Sequence, residues 1–349
     1  MKKIILCLAL VLAVAAYFFM PKQEQADQNK ELKICSSMPK DITELLAKDF
    51  AKKSGVKVNV SYLPGGNYES RKNFLMNNAF DCWLGGSSEE YFMAEEQGLL
   101  RRYQAKESHK VPAELRNRRG DWTALYLSYI AIISNKDNLH EAGVYAPTTW
   151  AELLEPAFKG KLVFPNPEIG GVAYGMLTGI WQLHGKATAL EYAAKLQAQE
   201  LVIVNSFEEA IDLVYDGKKT STVVPLDRAF QLEAKHSHLY ATVPKDANRN
   251  MLTGVAIMNK STAPLNAEKF VDYLMSDESI KLLKNNDFYY MWHVKNYENT
   301  RERVRLAGRV QVPVDDLGWA STYKSEVIRQ WREAKLEDAK QEDVTQKTN

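Results

Sequence analysis

Cysteine is scarce in this chain: three residues in 349, at positions 7, 35 and 82, and none in the CxxC spacing of a zinc or redox site. HExxH, GxSxG and GxGxxG are absent as well, which removes the signatures of a zincin, a hydrolase nucleophile elbow and a dinucleotide fold. "DGKKT" at 216–220 lacks the earlier glycine and the ending of a phosphate loop. Charge of one sign is also lacking. Forty-five Lys and Arg face 44 Asp and Glu, and no basic block is long enough to follow a phosphate backbone, so nucleic acid is not an expected partner. The six histidines are scattered; His236 and His238 lie two apart in a polar loop and read as surface residues. No catalytic residue, metal site or cofactor is expected. Beyond the N-terminus no long apolar run occurs, and the length suits about two soluble domains.

That N-terminus is the first positive signal. Lys2-Lys3 precede an apolar run from Ile4 to Met20, the arrangement of a secretory signal, with Ala13-Val14-Ala15 as a small-residue cleavage site. Tyr17-Phe18-Phe19 prolong the run towards the roughly 17–25 residues of a membrane span, so a retained anchor is the alternative to cleavage. Either way the expected location is periplasmic or otherwise extracytoplasmic. Cys7 sits too early to be a lipid-modified cysteine. Cys35 and Cys82 remain, either as a disulfide or as two separate buried thiols.

Strand and helix patterns then alternate. "ELKICSS" reads as a strand and "DITELLAKDFAKKSG" as a helix, with Asp41 and Glu44 in capping-box spacing and Gly55 as its stop. Val56, Val58 and Val60 alternate as a strand; a helix over about 68–78 leads into the strand "AFDCWLG" and a helix over 88–97. "LYLSYIAIISN" reads as one long strand, "TTWAELLEPAFKG" as a short helix capped by Thr149 and Glu152, and further strand–helix units follow. Gly171, Gly175 and Gly179 share one helix face, which suggests close contact with a neighbouring element. Tyr289-Tyr290 read as core or hinge packing. The order predicts an α/β fold with mostly parallel sheets flanked by helices.

Several strands end in small polar residues just before a helix: Ser36-Ser37, Gly85-Gly86-Ser87-Ser88, Gly170-Gly171 and Pro225-Leu226-Asp227. Ligands of open α/β sheets collect beyond the carboxyl ends of strands, where helix N-termini and serine hydroxyls donate to anions. Each turn also has a plainer explanation. Ser87 and Glu90 have capping-box spacing, and Glu89 and Glu90 would repel an anion seated on that helix end.

"PTTWAELLEPAFKGKLVFPNP" at 147–167, with the "CSS", "FDCWLGGSSEEY", "GGVAY" and "SFEEAIDLVYDGK" segments, resembles the periplasmic solute-binding proteins of ABC transporters, in the branch that binds ferric iron, thiamine, phosphonates and sugar phosphates. The resemblance spans roughly residues 32–300. It implies a type II fold with two lobes, joined by crossing strands near 126–132 and 253–257, that close on a ligand. Residues 1–31 would be signal or anchor plus linker, 32–127 and 256–300 lobe 1, 128–255 lobe 2, 301–334 C-terminal helices across the hinge, and 335–349 a frayed tail. The iron binders use a His, a Glu and a Tyr pair where this chain has Pro39, Gly86 and Asp227-Arg228, so iron held in that way is not expected.

The sugar-phosphate binders are more similar, since they carry an acid at the place of Asp227. Ser36, Ser37, Gly86, Ser87, Ser88, Tyr126, Gly170, Gly171, Asp227 and Arg228 are then the expected ligand contacts. Val172 departs from the Ser or Thr of many relatives. Trp83 and Tyr174 would stack on a flat or cationic solute, as in thiamine or polyamine binders. The implied function is a monomeric receptor that passes a small organic anion to an ABC permease. A membrane-anchored sensor domain or an enzyme on the same fold is the reading from another class.

Overall fold

The computed structural model describes residues 31–286, except 66, 170 and 250, together with 318–334. The signal or anchor segment, Gly170, Tyr289-Tyr290 and the tail from 335 lie outside the described residues. Strand β1 (Leu32–Ser36) leads into α1 (Lys40–Ser54), β2 (Val58–Tyr62), α2 (Tyr68–Asn77), β3 (Cys82–Leu84), α3 (Ser88–Glu96), β4 (Leu100–Arg101) and β5 (Thr123–Ser128). One residue later comes β6 (Ile130–Asn135). It is followed by α4 (Lys136–Ala142), β7 (Val163–Pro165), α5 (Gly171–His184), α6 (Lys186–Ala198), β8 (Val202–Val204), α7 (Phe207–Tyr215), β9 (Ser221–Pro225), α8 (Leu226–Lys235) and β10 (Leu239–Thr242). Then come β11 (Met251–Met258), α9 (Pro264–Leu274), α10 (Asp277–Lys284) and the short α11 (Trp319–Thr322), after which residues 324–334 are helical.

These elements build two lobes. One sheet has the order β2-β1-β3-β11-β4, with β5 also on β11; the other lobe holds β10-β6-β9 and the pair β7-β8, linked by a bridge from Leu162 to Ser221. The α/β two-lobe architecture is as the sequence implies: the strands of each lobe run mostly parallel, and one strand in each runs the other way. Each lobe receives a strand that has crossed from the other: β11 runs antiparallel to β3, β4 and β5, and β6 antiparallel to β9 and β10. The run "LYLSYIAIISN" is therefore two strands, broken at Tyr129, each in a different sheet. β11 pairs with β5 from Met251 onward, which places 251–255 in the first sheet rather than in the second lobe.

Burial follows the sequence pattern. Leu32, Ile34, Leu46, Phe50, Trp83, Tyr91 and Phe270 share one core. Two further cores flank the second lobe's sheet, one around Trp150, Phe164 and Tyr174 and one around Ile133, Val224 and Leu239. Gly175 and Gly179 are where α5 meets the crossing: added Cβ atoms would stand 3.0 Å from Ile130 Cδ1 and 2.8 Å from the Asn248 carbonyl oxygen. Asn248 completes that junction. Its side chain accepts from Ile130 N at 2.9 Å and donates to Ile130 O at 2.8 Å, satisfying both backbone groups at the start of β6.

Some local expectations change. α1 starts after Pro39 with no side-chain cap, and Asp41 accepts from Ile42 N instead of closing a capping box with Glu44. The Thr149 segment forms two 3-10 turns, Ala151–Leu154 and Pro156–Phe158; Glu152 N donates to Thr149 Oγ1 at 3.3 Å, while the Glu152 carboxylate accepts from Thr148 N. Cys35 and Cys82 are separate buried thiols. They lie on neighbouring strands but one residue out of register, Cys35 opposite Trp83 and Cys82 opposite Ile34, so their side chains leave opposite faces of the sheet. Burial pushes the Cys35 thiol up to about 12 and the Cys82 thiol in the same direction.

The glycines of "GGSS" have a packing reason. Gly85 has φ +84°, and a Cβ there would lie 2.8 Å from Met38 Cγ and 2.9 Å from Met38 N. Tyr91 pins the same turn from below, its hydroxyl 2.5 Å from Gly85 O and 2.8 Å from Gly254 O. Gly55 is left-handed too, φ +73°, but an added Cβ meets nothing within 4 Å. In urea unfolding, Gly55→Ala is expected to cost about 1 kcal/mol and Gly85→Ala well beyond that, while Tyr91→Phe costs roughly 1–3 kcal/mol. Equal costs for the two glycines would contradict this packing. In thiol titration with an aromatic disulfide, Cys35 and Cys82 are expected to react only on unfolding, with or without prior reductant; rapid labelling of the folded chain would overturn their placement.

Candidate functional site

The cleft between the lobes is a cavity of about 870 Å³. Five helices begin on its walls: α1 at Ser37–Lys40, α3 at Gly86-Ser87, α5 at Gly171-Val172, α7 at Asn205–Phe207 and α8 at Pro225–Arg228. Each follows a strand or its connecting turn, so the positive ends of five helix dipoles converge on one space. Tyr126, Leu252 and Thr253 from the crossing strands line the floor.

Ser37, Gly86, Ser87, Tyr126, Gly171, Asp227 and Arg228 are therefore brought together, as are Pro39 and Val172. Four other expected contacts are not. Ser36 is buried, its hydroxyl 2.9 Å from Thr43 Oγ1 and accepting from Met38 N, so it shapes the turn into α1. Ser88 is buried in the first turn of α3. Trp83 is 1% exposed and packs in the first core with its ring centroid 4.4 Å from that of Tyr91, because β3 is a central strand covered on both faces. Tyr174 is 2% exposed on the inner face of α5 and donates to Ala320 O at 2.5 Å. The stacking role expected of Trp83 and Tyr174 is thus corrected to packing.

Ser87 is the N-cap residue of α3, but its hydroxyl makes no capping bond and it lines the cavity. The repulsion expected from Glu89 and Glu90 is met by ion pairs. Glu89 pairs with buried Arg249, whose guanidinium also reaches Thr178 at 3.3 Å, and Glu90 pairs with Arg71. Burial raises the Glu89 carboxyl, but Arg249 and the neighbouring hydrogen bonds outweigh it and hold the group below its usual range.

Asp227 accepts from Ser128 Oγ at 2.7 Å. Burial raises its carboxyl, and the bonds from Ser128 and its own backbone and the charge of Arg228 offset that only in part. Arg228 turns onto Glu208 at 3.0 Å, and its buried Nε has no partner among the described residues. Lys40 pairs loosely with Glu44 at 3.8 Å on the outer rim.

Arg71, Lys40, Glu208 and Asn205 were not visible as site residues in the sequence. Ser206 could have been found, because "SFEE" is a helix start directly after a strand; its hydroxyl accepts from Glu209 N at 3.1 Å. Arg71 lies mid-helix, and its carbonyl partner Ile169 is 98 residues away, so no local signal marks it. Among the described residues no group of three or more His, Cys, Asp or Glu is arranged to hold a metal ion, and no helix is long and apolar enough to cross a membrane.

Comparison with known proteins agrees with this geometry. An uncharacterized protein of Haemophilus influenzae is 26% identical over 269 residues, covering 74% of this chain and 76% of that one. The periplasmic binding protein P5PA superposes with a TM-score of 0.76 at 24% identity, covering 88% of this chain and 99% of its own. AfuA from Actinobacillus pleuropneumoniae, solved with exogenous fructose-6-phosphate, gives 0.76 at 22% identity, covering 88% and 99%. Iron-bound HitA from Pseudomonas aeruginosa gives 0.71 at 19%, covering 87% and 99%. The family model of bacterial extracellular solute-binding proteins matches residues 85–308. With two lobes closing over a ring of helix N-termini and that match across most of its length, this chain belongs to the bacterial extracellular solute-binding proteins.

Proposed function

We propose that the protein is an extracytoplasmic receptor that captures a small phosphorylated organic anion, a sugar phosphate or related phosphoester, and delivers it as a monomer to an ABC permease. The observation that carries this reading is the convergence of five helix N-termini on one cavity, with Ser87 lining it. Such a ring solvates a phosphate through N–H groups without requiring a matched side-chain cation. Asp227 adds the complementary function, a fixed carboxylate that accepts hydroxyl groups of a polyol. The fructose-6-phosphate bound by AfuA fits the same division of labour. The N-terminal basic and apolar segment supports export, by cleavage or as a retained anchor.

A cationic solute is the second reading, favoured by one observation: Asp41 and Asp227 line the cavity with no ion pair to a cation among the described residues, whereas Lys40, Arg71 and Arg228 each pair with a glutamate. Iron through the relatives' ligand positions has no support, since Pro39, Gly86 and Asp227-Arg228 line the cavity there and bring a single carboxylate.

Calorimetric titration separates these readings. Fructose 6-phosphate is expected to bind, with Ser87→Ala weakening it about 3- to 10-fold through one lost hydrogen bond; tight binding of thiamine or spermidine without phosphoester binding would reverse the choice. The pH response follows from Asp227. Its folded carboxyl titrates above the unfolded value, so its stability contribution is complete below the unfolded value and is lost as pH rises through the folded one. Asp227→Asn is therefore expected to raise the melting temperature at neutral pH while it weakens sugar-phosphate binding. In the wild type, affinity should fall as acid protonates Asp227, starting at a higher pH than for an ordinary aspartate. An Asn variant that binds normally and melts lower would remove Asp227 from the site.

A further inference from the structure

Arg71 is a cavity-lining cation that touches both lobes. It projects from α2 in the first lobe, and its Nη2 donates to the Ile169 carbonyl, in the turn just before α5 of the second lobe, at 3.0 Å. The same nitrogen pairs with Glu90, while Nε is buried and makes no hydrogen bond among the described residues. The hydroxyl of Tyr68, one turn earlier on α2, is also buried with no partner among them.

The charges behind Arg71 leave it disposable. Glu89 and Glu90 face three cations: Arg71, Arg249 and Lys324 of the C-terminal helical segment. Lys324 feels both carboxylates, Glu90 first, and burial still draws its ammonium below the usual lysine range. Arg249 holds Glu89 in an ion pair, and the Lys324 ammonium feels both acids, so positive charge remains in this cluster if the Arg71 guanidinium rotates away from Glu90. Of the three cations, Arg71 alone lines the cavity. A planar guanidinium with unused N–H groups at the rim suits bidentate recognition of a phosphate or carboxylate.

We propose that Arg71 is the specificity-determining residue of the cleft, taking the anionic group of the ligand and, through the Ile169 carbonyl, tying that capture to closure of the second lobe on the first. The proposal rests on the anionic-solute reading above. An incoming oxyanion replaces Glu90 as the guanidinium's partner. Solutes without the anionic group lose this tie and bind the open cleft weakly.

The test is calorimetry of the full exported chain with fructose 6-phosphate, fructose and inorganic phosphate, for the wild type, Arg71→Gln, Arg71→Lys and the neighbouring Lys72→Gln. Arg71→Gln is expected to weaken fructose 6-phosphate by about 10- to 100-fold and leave fructose unchanged, collapsing the preference for the phosphoester. Arg71→Lys keeps the charge without the fork and should fall between the two; Lys72→Gln should match the wild type. Small-angle scattering should show ligand-driven compaction in the wild type and not in Arg71→Gln. If Arg71→Gln does not fold, Arg71→Lys decides: full affinity in it overturns the assignment. If the wild type binds fructose 6-phosphate and Arg71→Gln binds it within about twofold, the role of Arg71 falls and the anionic reading stands. If the wild type binds neither fructose 6-phosphate nor phosphate, both fall together.

Discussion

Strand β11 is the constraint on which the rest of the structure depends. Within eight residues it pairs antiparallel with β5, β3 and β4, and so locks the returning chain into the centre of the first sheet. Its partner β5 is one residue from β6, the middle strand of the second sheet. The two lobes therefore meet at adjacent crossings, and the buried junction of Asn248, Ile130 and Gly179 sits where the second crossing leaves α5. The two crossings lie side by side between the sheets, the arrangement that the proposed ligand clamp requires.

Charge is distributed to suit that clamp. The interior of the lobe contact holds Glu89, Glu90, Arg71, Arg249 and Lys324, groups drawn from both lobes and the C-terminal segment. Buried ions are costly unless paired, and breaking one pair leaves an uncompensated charge. Arg71 and Arg249 each hold one of the two acids in an ion pair, and Lys324 adds a third positive charge that feels both. The cleft itself is lined by helix ends from both lobes.

Much of the fold was legible because apolar period and turn chemistry are local. Gly55 as a left-handed helix stop and the strand–helix alternation up to α3 could be read from spacing alone. The break at Tyr129 could not, since both halves of "LYLSYIAIISN" are apolar and only long-range pairing assigns them to different sheets. The site was legible as an address and less so as a list of side chains. Glycine-serine turns mark strand ends, but whether Trp83 points to the cleft or the core depends on a strand being covered on both faces. Ser36 and Ser37 differ in the same way, by one step of the pleat. Arg71 carried no mark, because its role comes from tertiary neighbours.

The central claim is that the cleft selects an organic oxyanion. Native mass spectrometry of the protein isolated from cells tests it most directly, reading the mass retained by the folded chain and released on denaturation. The account predicts an organic phosphoester at one per chain. A bare metal ion, or an amine without an oxyanion, would contradict it.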